Sequence, residues 1–214
     1  LLTMGNGQII DAIIADFSDC GYDVYYKLVN AKDFGVPQQR ERIYLVCFRN
    51  DIAPEEFTFP EGNKKKVCLR DILDEAPVPS KYYLSDTYVD TLRKHRARHE
   101  AAGHGFGYVI RPLDGIAGTI VCGGMGRETN LIIDNREHSL VPSTHIKGKI
   151  NEEGIRKMTP REWARLQGFP DTFILPLSDV HLYKQFGNSV SVPVIEAIAK
   201  EIKKVLDKVQ RSNS

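Results

Sequence analysis

A chain of 214 residues can form one large domain or two small ones, and it is too long to depend on a disulfide-stapled core. Apolar residues make up 42% and charged residues 27%, the balance of a globular protein with a buried interior. Lys+Arg total 29 against 28 Asp+Glu, a formal charge of +1, which excludes a uniformly basic nucleic-acid binder but leaves room for a basic face.

The first predicted element is a helix, because Ile9, Ile10, Ile13, Ile14 and Phe17 recur at three- and four-residue spacing and Gly21 is a natural stop. Strand-like runs follow at 22–29 and 43–48, parted by Gly35-Val36-Pro37. This block reads as the tail of an α/β layer rather than its start. From Asn50 to about Lys81 the chain is polar and Pro-rich, with Lys64-Lys65-Lys66 in the middle, a candidate domain boundary. A short basic helix over 88–99 precedes the segment Gly103-His104-Gly105-Phe106-Gly107. Short β-like runs at 108–110, 119–122 and 131–133 then suggest a small, irregular, mostly β module. Thr159-Pro160-Arg161-Glu162 starts a helix, with Thr as cap, Pro first and Glu third. In the last helix Ser191 caps, Pro193 starts, and Val194, Ile195, Ile198, Ile202, Val205, Leu206 and Val209 form one apolar stripe. No apolar run approaches the ~20 residues of a membrane span. The four cysteines form no CxxC pair, so neither zinc knuckle nor disulfide framework is signalled, and a reducing compartment is expected.

Three segments carry chemistry. In Pro37-Gln38-Gln39-Arg40-Glu41-Arg42, two arginines at i, i+2 entering a strand are expected on one face, where paired guanidinium forks suit a phosphate or a base edge. The plainer reading is a solvated strand edge. Residues 158–171 read as a capped, structural helix stopped by Gly168 and Pro170. Gly187-Asn188-Ser189, placed at a helix start, would offer backbone N–H groups to a carboxylate or similar ligand, or simply cap. His95, His99 and His104 miss the HExxH spacing and read as solvated surface, so no metal is expected. Cys47, in an apolar strand, reads as buried and inert.

In this order the motifs resemble the C-terminal portion of the C5-cytosine DNA methyltransferases. Gln38, Arg40 and Arg42 match that family's QxRxR motif, and Asn30-Ala31 and Phe34 to Pro37 match the segment leading into it. Residues 159–170 match its TPRE-ARLQGFP helix, and Gln185 to Val190 its last motif. The likeness is weakest between Asp51 and Asp114. The family's Pro-Cys nucleophile is absent here, since Asp19, Val46, Val67 and Val121 precede the four cysteines. Its Glu-Asn-Val acid and Gly-rich cofactor loop are absent too. The sequence begins Leu1-Leu2-Thr3 without an initiator Met, and the expectation is the second half of such an enzyme, inactive without an N-terminal half.

The resemblance implies an α/β fold: the C-terminal part of a Rossmann-like methyltransferase domain plus a small, mostly β, irregular target recognition domain. The expected divisions are 1–60 for the end of the catalytic domain, 61–175 for the recognition domain with its closing helix, and 176–214 for the returning motif and helix. It implies a DNA (cytosine-5-)-methyltransferase of the restriction-modification kind, which flips the base out of the duplex and attacks C6 so that C5 accepts a methyl group from S-adenosylmethionine. Arg42 would hold the cytosine O2 edge, and Arg40 would position groups nearby. Asn188, Ser189 and Val190 would contact the cofactor. Thr119 would meet a phosphate, and the loop with Gly123, Gly124 and Arg127 would approach the bases, Arg127 forking onto a guanine. The partners implied are double-stranded DNA and the missing N-terminal half, with a cytoplasmic, membrane-free location. The alternative is a non-catalytic DNA-binding or regulatory module.

Overall fold

The computed structural model describes residues 7–123, 126–136 and 148–212. The opening apolar spacing forms α1 (Gln8–Asp19), and Gly21, at φ +85°, turns the chain into the next element. Strands β1 (Tyr22–Asn30) and β2 (Glu41–Arg49) pair antiparallel from Tyr22↔Arg49 to Asn30↔Glu41. A 3-10 turn at Ala31–Phe34 and the segment through Gln38 join them.

The hairpin buries one face. Val29, Val46 and Phe48 pack with Phe34, Phe57 and Phe59, and with Val194 and Ile198 of the last helix, α5 (Val192–Ser212). The Pro-rich stretch expected to be a boundary therefore contributes core: the Phe57 ring lies 5.4 Å from Phe48 and 5.6 Å from Tyr25. Aromatic burial outweighs the breaker composition around it. The helix expected over 88–99 is longer, α2 (Asp86–Ala101), because the Ser85 side chain accepts a hydrogen bond from the Tyr88 N–H at its start.

The irregular β region is as expected in kind and leaner in extent. Among its described residues, only β3 (Leu131–Ile133) and β4 (Ile155–Lys157) form a ladder. Ile110 adds a single bridge to Leu131, and residues 119–122 form no strand. Side chains satisfy that segment instead: the Gly118 N–H donates to Asn130 Oδ1 at 2.8 Å and the Ile120 N–H to Gln38 Oε1 at 3.0 Å.

Helix α3 (Pro160–Leu166) has the expected capping box, Thr159 and Glu162 bonding each other's backbone N–H. A further helix, α4 (Asp179–Asn188), was not anticipated. The central core joins Ile120, Met158, Trp163 and Leu166 to Leu182, Tyr183 and Phe186 of α4, with Trp163 edge-on to Tyr183 at 4.8 Å.

Under this core lies a buried ionic network. Arg156 donates to both oxygens of Glu162 at 2.8 Å and to Asp134 at 2.8 Å, and both partners of the Arg156–Glu162 pair are fully buried. Burial would raise the Asp134 carboxyl, but hydrogen bonds from Arg136 and Arg156 outweigh it and hold Asp134 well below the usual carboxylate range. The depressed pKa fixes the sign: Asp134 stabilises fully above about pH 4, the unfolded carboxylate value, and loses that contribution as pH falls below it. Glu162→Ala should cost about 3–5 kcal/mol by stranding Arg156. Urea unfolding followed through the buried Trp163, the sole tryptophan, measures it, and an equal stability at pH 6 and pH 3 would contradict the Asp134 assignment.

Candidate functional site

The QxRxR segment crosses the molecule between β1 and β2. The Ala117 N–H donates to the Pro37 carbonyl and the Gln39 N–H to Ala117, so the segment lies alongside 117–120 like a strand. Gln38 is fully buried; its amide donates to the Leu166 carbonyl at the end of α3 and accepts from Ile120. Gln167 adds a parallel tie by donating to Phe186 in α4 at 2.9 Å.

Arg40 completes this crosspiece. Its guanidinium donates to the carbonyls of Ile120 at 3.0 Å, Gly187 at 3.3 Å and Ser189 at 2.7 Å. Burial, and secondarily repulsion from Arg42, bring its pKa down to about 10, so it stays charged at neutral pH. No carboxylate pairs with it among the described residues. The two arginines do not share an open face. Strand β2 begins at Glu41, so alternation does not run back to Arg40, which is 5% exposed while Arg42 is exposed and donates only to the Glu41 carbonyl.

The GNSV segment also departs from expectation. Gly187 and Asn188 end α4 rather than start a helix, so this end presents carbonyls, not N–H groups, and its dipole favours a cation. Arg40 is that cation. Gly187 is required sterically, since a Cβ there would meet Cys122 N at 2.6 Å and Val121 C at 2.8 Å. The Ser189 hydroxyl is occupied by the Phe186 carbonyl at 2.9 Å, whereas Asn188 and Val190 are exposed. The signal that could have found α4 is Leu182, Tyr183 and Phe186 at helical spacing behind Ser178-Asp179.

Three of the residues around this crosspiece carry a buried polar atom without a partner: Arg40 Nε, Gln167 Oε1 and Ser191 Oγ. The cap expected of Ser191 is therefore not made by its hydroxyl. These three atoms are closed to solvent, so the exposed Asn188 amide is the polar side-chain group of this segment that a ligand can reach. Thr119 donates its only hydroxyl proton to the Gln39 carbonyl at 2.8 Å, so binding a phosphate oxygen through that hydroxyl requires the proton to be re-aimed. Gly123 is exposed, and Gly124 lies outside the described residues. Arg127 lies 5.4 Å over the Tyr183 ring. Cys47 is half-buried and its thiol pKa is raised by burial, which keeps it unreactive. Among the described residues no group of His, Cys, Asp and Glu could hold a metal ion, and no helix is long and apolar enough to cross a membrane.

A hairpin and helices beside a small irregular β region, tied at a QxRxR crosspiece, define a methyltransferase-type α/β fold. The Schizosaccharomyces pombe Dnmt2 methyltransferase superposes with a TM-score of 0.70 over 95% of this chain and 64% of its own, at 19% identity. The Entamoeba histolytica methyltransferase EhMeth does so at 0.69 over 94% and 59%. In sequence, residues 1–204 match the model of the C-5 cytosine-specific DNA methylases, and the chain belongs to that family. The Type II methyltransferase M.HpaII of Haemophilus parainfluenzae is 60% identical over 86% of this chain and 52% of its own length. M.SsoII of Shigella sonnei is 40% identical over 97% and 51%. The chain thus spans about half the length of these relatives.

The contrast between the arginines is measurable. Arg40→Ala strands three carbonyls and should cost about 2–4 kcal/mol, whereas Arg42→Ala should stay within about 0.5 kcal/mol. Equal unfolding midpoints for the two variants would contradict this division of roles.

Proposed function

We propose that this chain supplies the recognition region and part of the catalytic site of a DNA (cytosine-5-)-methyltransferase of the restriction-modification kind. The observation that carries the reading is the crosspiece. Arg40 and Gln38 fix the end of α4 and the 117–122 segment to one point and leave Arg42 and Asn188 exposed, each within two residues of an Arg40 bond or its acceptor. The 60% identity to a Type II methyltransferase supports the substrate class.

In this reading residues 61–175 read duplex DNA, with Thr119, Gly123, Gly124 and Arg127 on the DNA side, while 1–60 and 176–214 belong to the catalytic layer. Arg42 holds the O2 edge of the flipped cytosine through its exposed guanidinium, and Arg40 acts indirectly, by holding the carbonyls that shape the site. Asn188, Ser189 and Val190 form one wall for S-adenosylmethionine, Asn188 through its side-chain amide. The bound cofactor supplies the electrophilic methyl group. The nucleophilic Cys and the acidic residue of the family pattern are not among these 214 residues, so in this reading the reaction draws on residues outside them.

An open apolar surface supports this reading. An apolar groove of about 670 Å³ between β2 and α5 is lined by Tyr44, Phe48, Ile195, Ile202 and Leu206. The α5 stripe is half-used within the chain: Val194 and Ile198 are buried, whereas Ile195 and Leu206 are exposed. On α1 only Ile10 is buried, and Ile9 and Phe17 are exposed. Such a patch drives association.

The test co-expresses this chain with the part of M.HpaII that it does not match. Transfer of labelled methyl from S-adenosylmethionine to DNA is expected in the complex and not from the chain alone. DNA retention without transfer would instead support the non-catalytic module. In the active complex Arg42→Ala should depress turnover well beyond its loss of DNA affinity, because its contact forms mainly with the flipped base; matched losses would make it an ordinary phosphate contact. Alone, the chain should self-associate and exchange amide hydrogens rapidly along α1 and the outer face of α5. Strong protection there in a monodisperse monomer would count against a missing partner.

A further inference from the structure

The three histidines expected on the solvated surface lie together at the end of α2. His95 and His99, one helical turn apart and half-buried, have ring centroids 4.4 Å apart, and the His104 ring stands 6.3 Å from that of His99. Phe106 closes the group, edge-on to His99 at 5.9 Å and 6.2 Å from His104.

The way the helix ends brings them together. Ala102 caps α2, and Gly103, at φ +75°, turns the chain back. The Gly103 N–H donates to the Glu100 carbonyl at 3.0 Å and the His104 N–H to the His99 carbonyl at 2.8 Å. This is the paired bonding of a Schellman motif, in which the positions held here by His99 and His104 ordinarily bring apolar side chains into contact. Two imidazoles make that contact instead, and it is apolar only while both are neutral. Little else holds the returning stretch. Residues 101–106 are exposed, Phe106 at 68%. The far end is fixed separately, by the Val109 N–H on the Glu128 carbonyl at 2.9 Å and by Arg96, 5.7 Å over the Tyr108 ring.

The cluster has no counter-charge. His99 is faced by His95 and Arg98 on α2 and by His104 on the returning stretch, all of them basic. Glu100 is engaged by Arg96, and Glu153, just before β4, by Arg93; among the described residues no carboxylate pairs with any of the three histidines. Nδ1 of His95 is buried without a hydrogen-bond partner, so no acceptor stands ready there. The helix dipole favours a cation at this end, but Arg98 already occupies the last turn and the final carbonyls accept from the N–H groups of residues 102–104.

We propose that the three histidines and Phe106 form a proton-released latch: neutral rings hold residues 103–106 against the end of α2, and protonation frees them. The latch is a property of this chain's own fold and stands whether or not the chain acts on DNA. Burial first, and then His95, Arg98 and His104, hold the His99 imidazole below its ordinary value. The closed form thus favours the neutral ring. The latch therefore holds fully above about pH 6.5, the ordinary imidazole value, and weakens as pH falls below it.

Amide hydrogen exchange on the full 214-residue chain tests this at about pH 7.5 and about pH 5.5, on either side of that value. Protection is taken relative to an unstructured peptide of the same sequence at each pH, so the intrinsic pH dependence of exchange cancels. Protection over 102–106 should fall severalfold at the lower pH while that of β3 and β4 holds. His99→Phe keeps the ring contact without the proton and should stay protected at both. Unchanged wild-type protection overturns the latch. So does a loss in His99→Phe that matches the wild type, and so does a parallel loss in β3 and β4, which would mark general loosening. Where His99→Phe does not fold, the wild-type ring resonances decide: His99 should titrate below an unstructured histidine, and titration at or above that value overturns the proposal.

Discussion

The guanidinium of Arg40 is buried without a counter-ion, and the rest of the site depends on how that charge is accommodated. Carbonyl oxygens from two stretches far apart in sequence share it: Ile120 in one, Gly187 and Ser189 in the other. Two of these belong to the end of α4, where unsatisfied carbonyls concentrate partial negative charge, so the helix dipole serves in place of a carboxylate. The accommodation is incomplete, which the depressed pKa near 10 and the orphaned Nε both register. An arrangement of this kind tolerates little displacement, because a carbonyl that moves away leaves a desolvated charge behind.

That constraint explains how an irregular segment can be held firmly. Beyond the single bridge of Ala117 to Gln38, residues 117–122 join no ladder, yet their backbone groups are met by Gln38, Arg40 and Asn130 side chains. Side-chain ties place the base of the segment without continuing a ladder into its tip, where Gly123 is exposed. Such a division fixes the register of the base and leaves the exposed surface beyond it free to be built differently. Gly187 belongs to the same design, since the segment passes so close over α4 that no side chain fits.

Local pattern made much of this legible and non-local pairing concealed the rest. The strands β1 and β2, the capping box at Thr159 and the apolar stripe of α5 are written in short-range spacing, whereas the antiparallel pairing of the two strands is seen only in the structure. Strand alternation does not extend back across Glu41 to Arg40, whose acceptors lie 80 to 149 residues away and leave no local trace. Gly and Ser suit a helix start as well as a helix end, and the short α4 carries too few apolar positions to mark the GNSV turn as an end. Phe57 and Phe59 were hidden by their prolines: composition described the backbone correctly as irregular and said nothing of where the rings went.

The polar and apolar parts of the molecule are completed to different degrees, and this difference bears on function. Around β3, β4 and α3 the charges are closed among themselves: Arg156, Glu162, Asp134 and Thr159 satisfy one another within the chain. Around β2 and α5 the closure fails, because a helix with apolar residues on two sides buries one of them and exposes the other beside an open groove. Buried ion pairs demand near-complete local satisfaction, so the region they stabilise can be self-contained. Apolar faces only require a cover of the right shape, so a surface of that kind can be finished by another polypeptide. The crosspiece of Gln38 and Arg40 stands at the junction of the two regions. It transmits the rigidity of the closed part to Arg42 and Asn188, the exposed side chains that would have to meet whatever completes the open part.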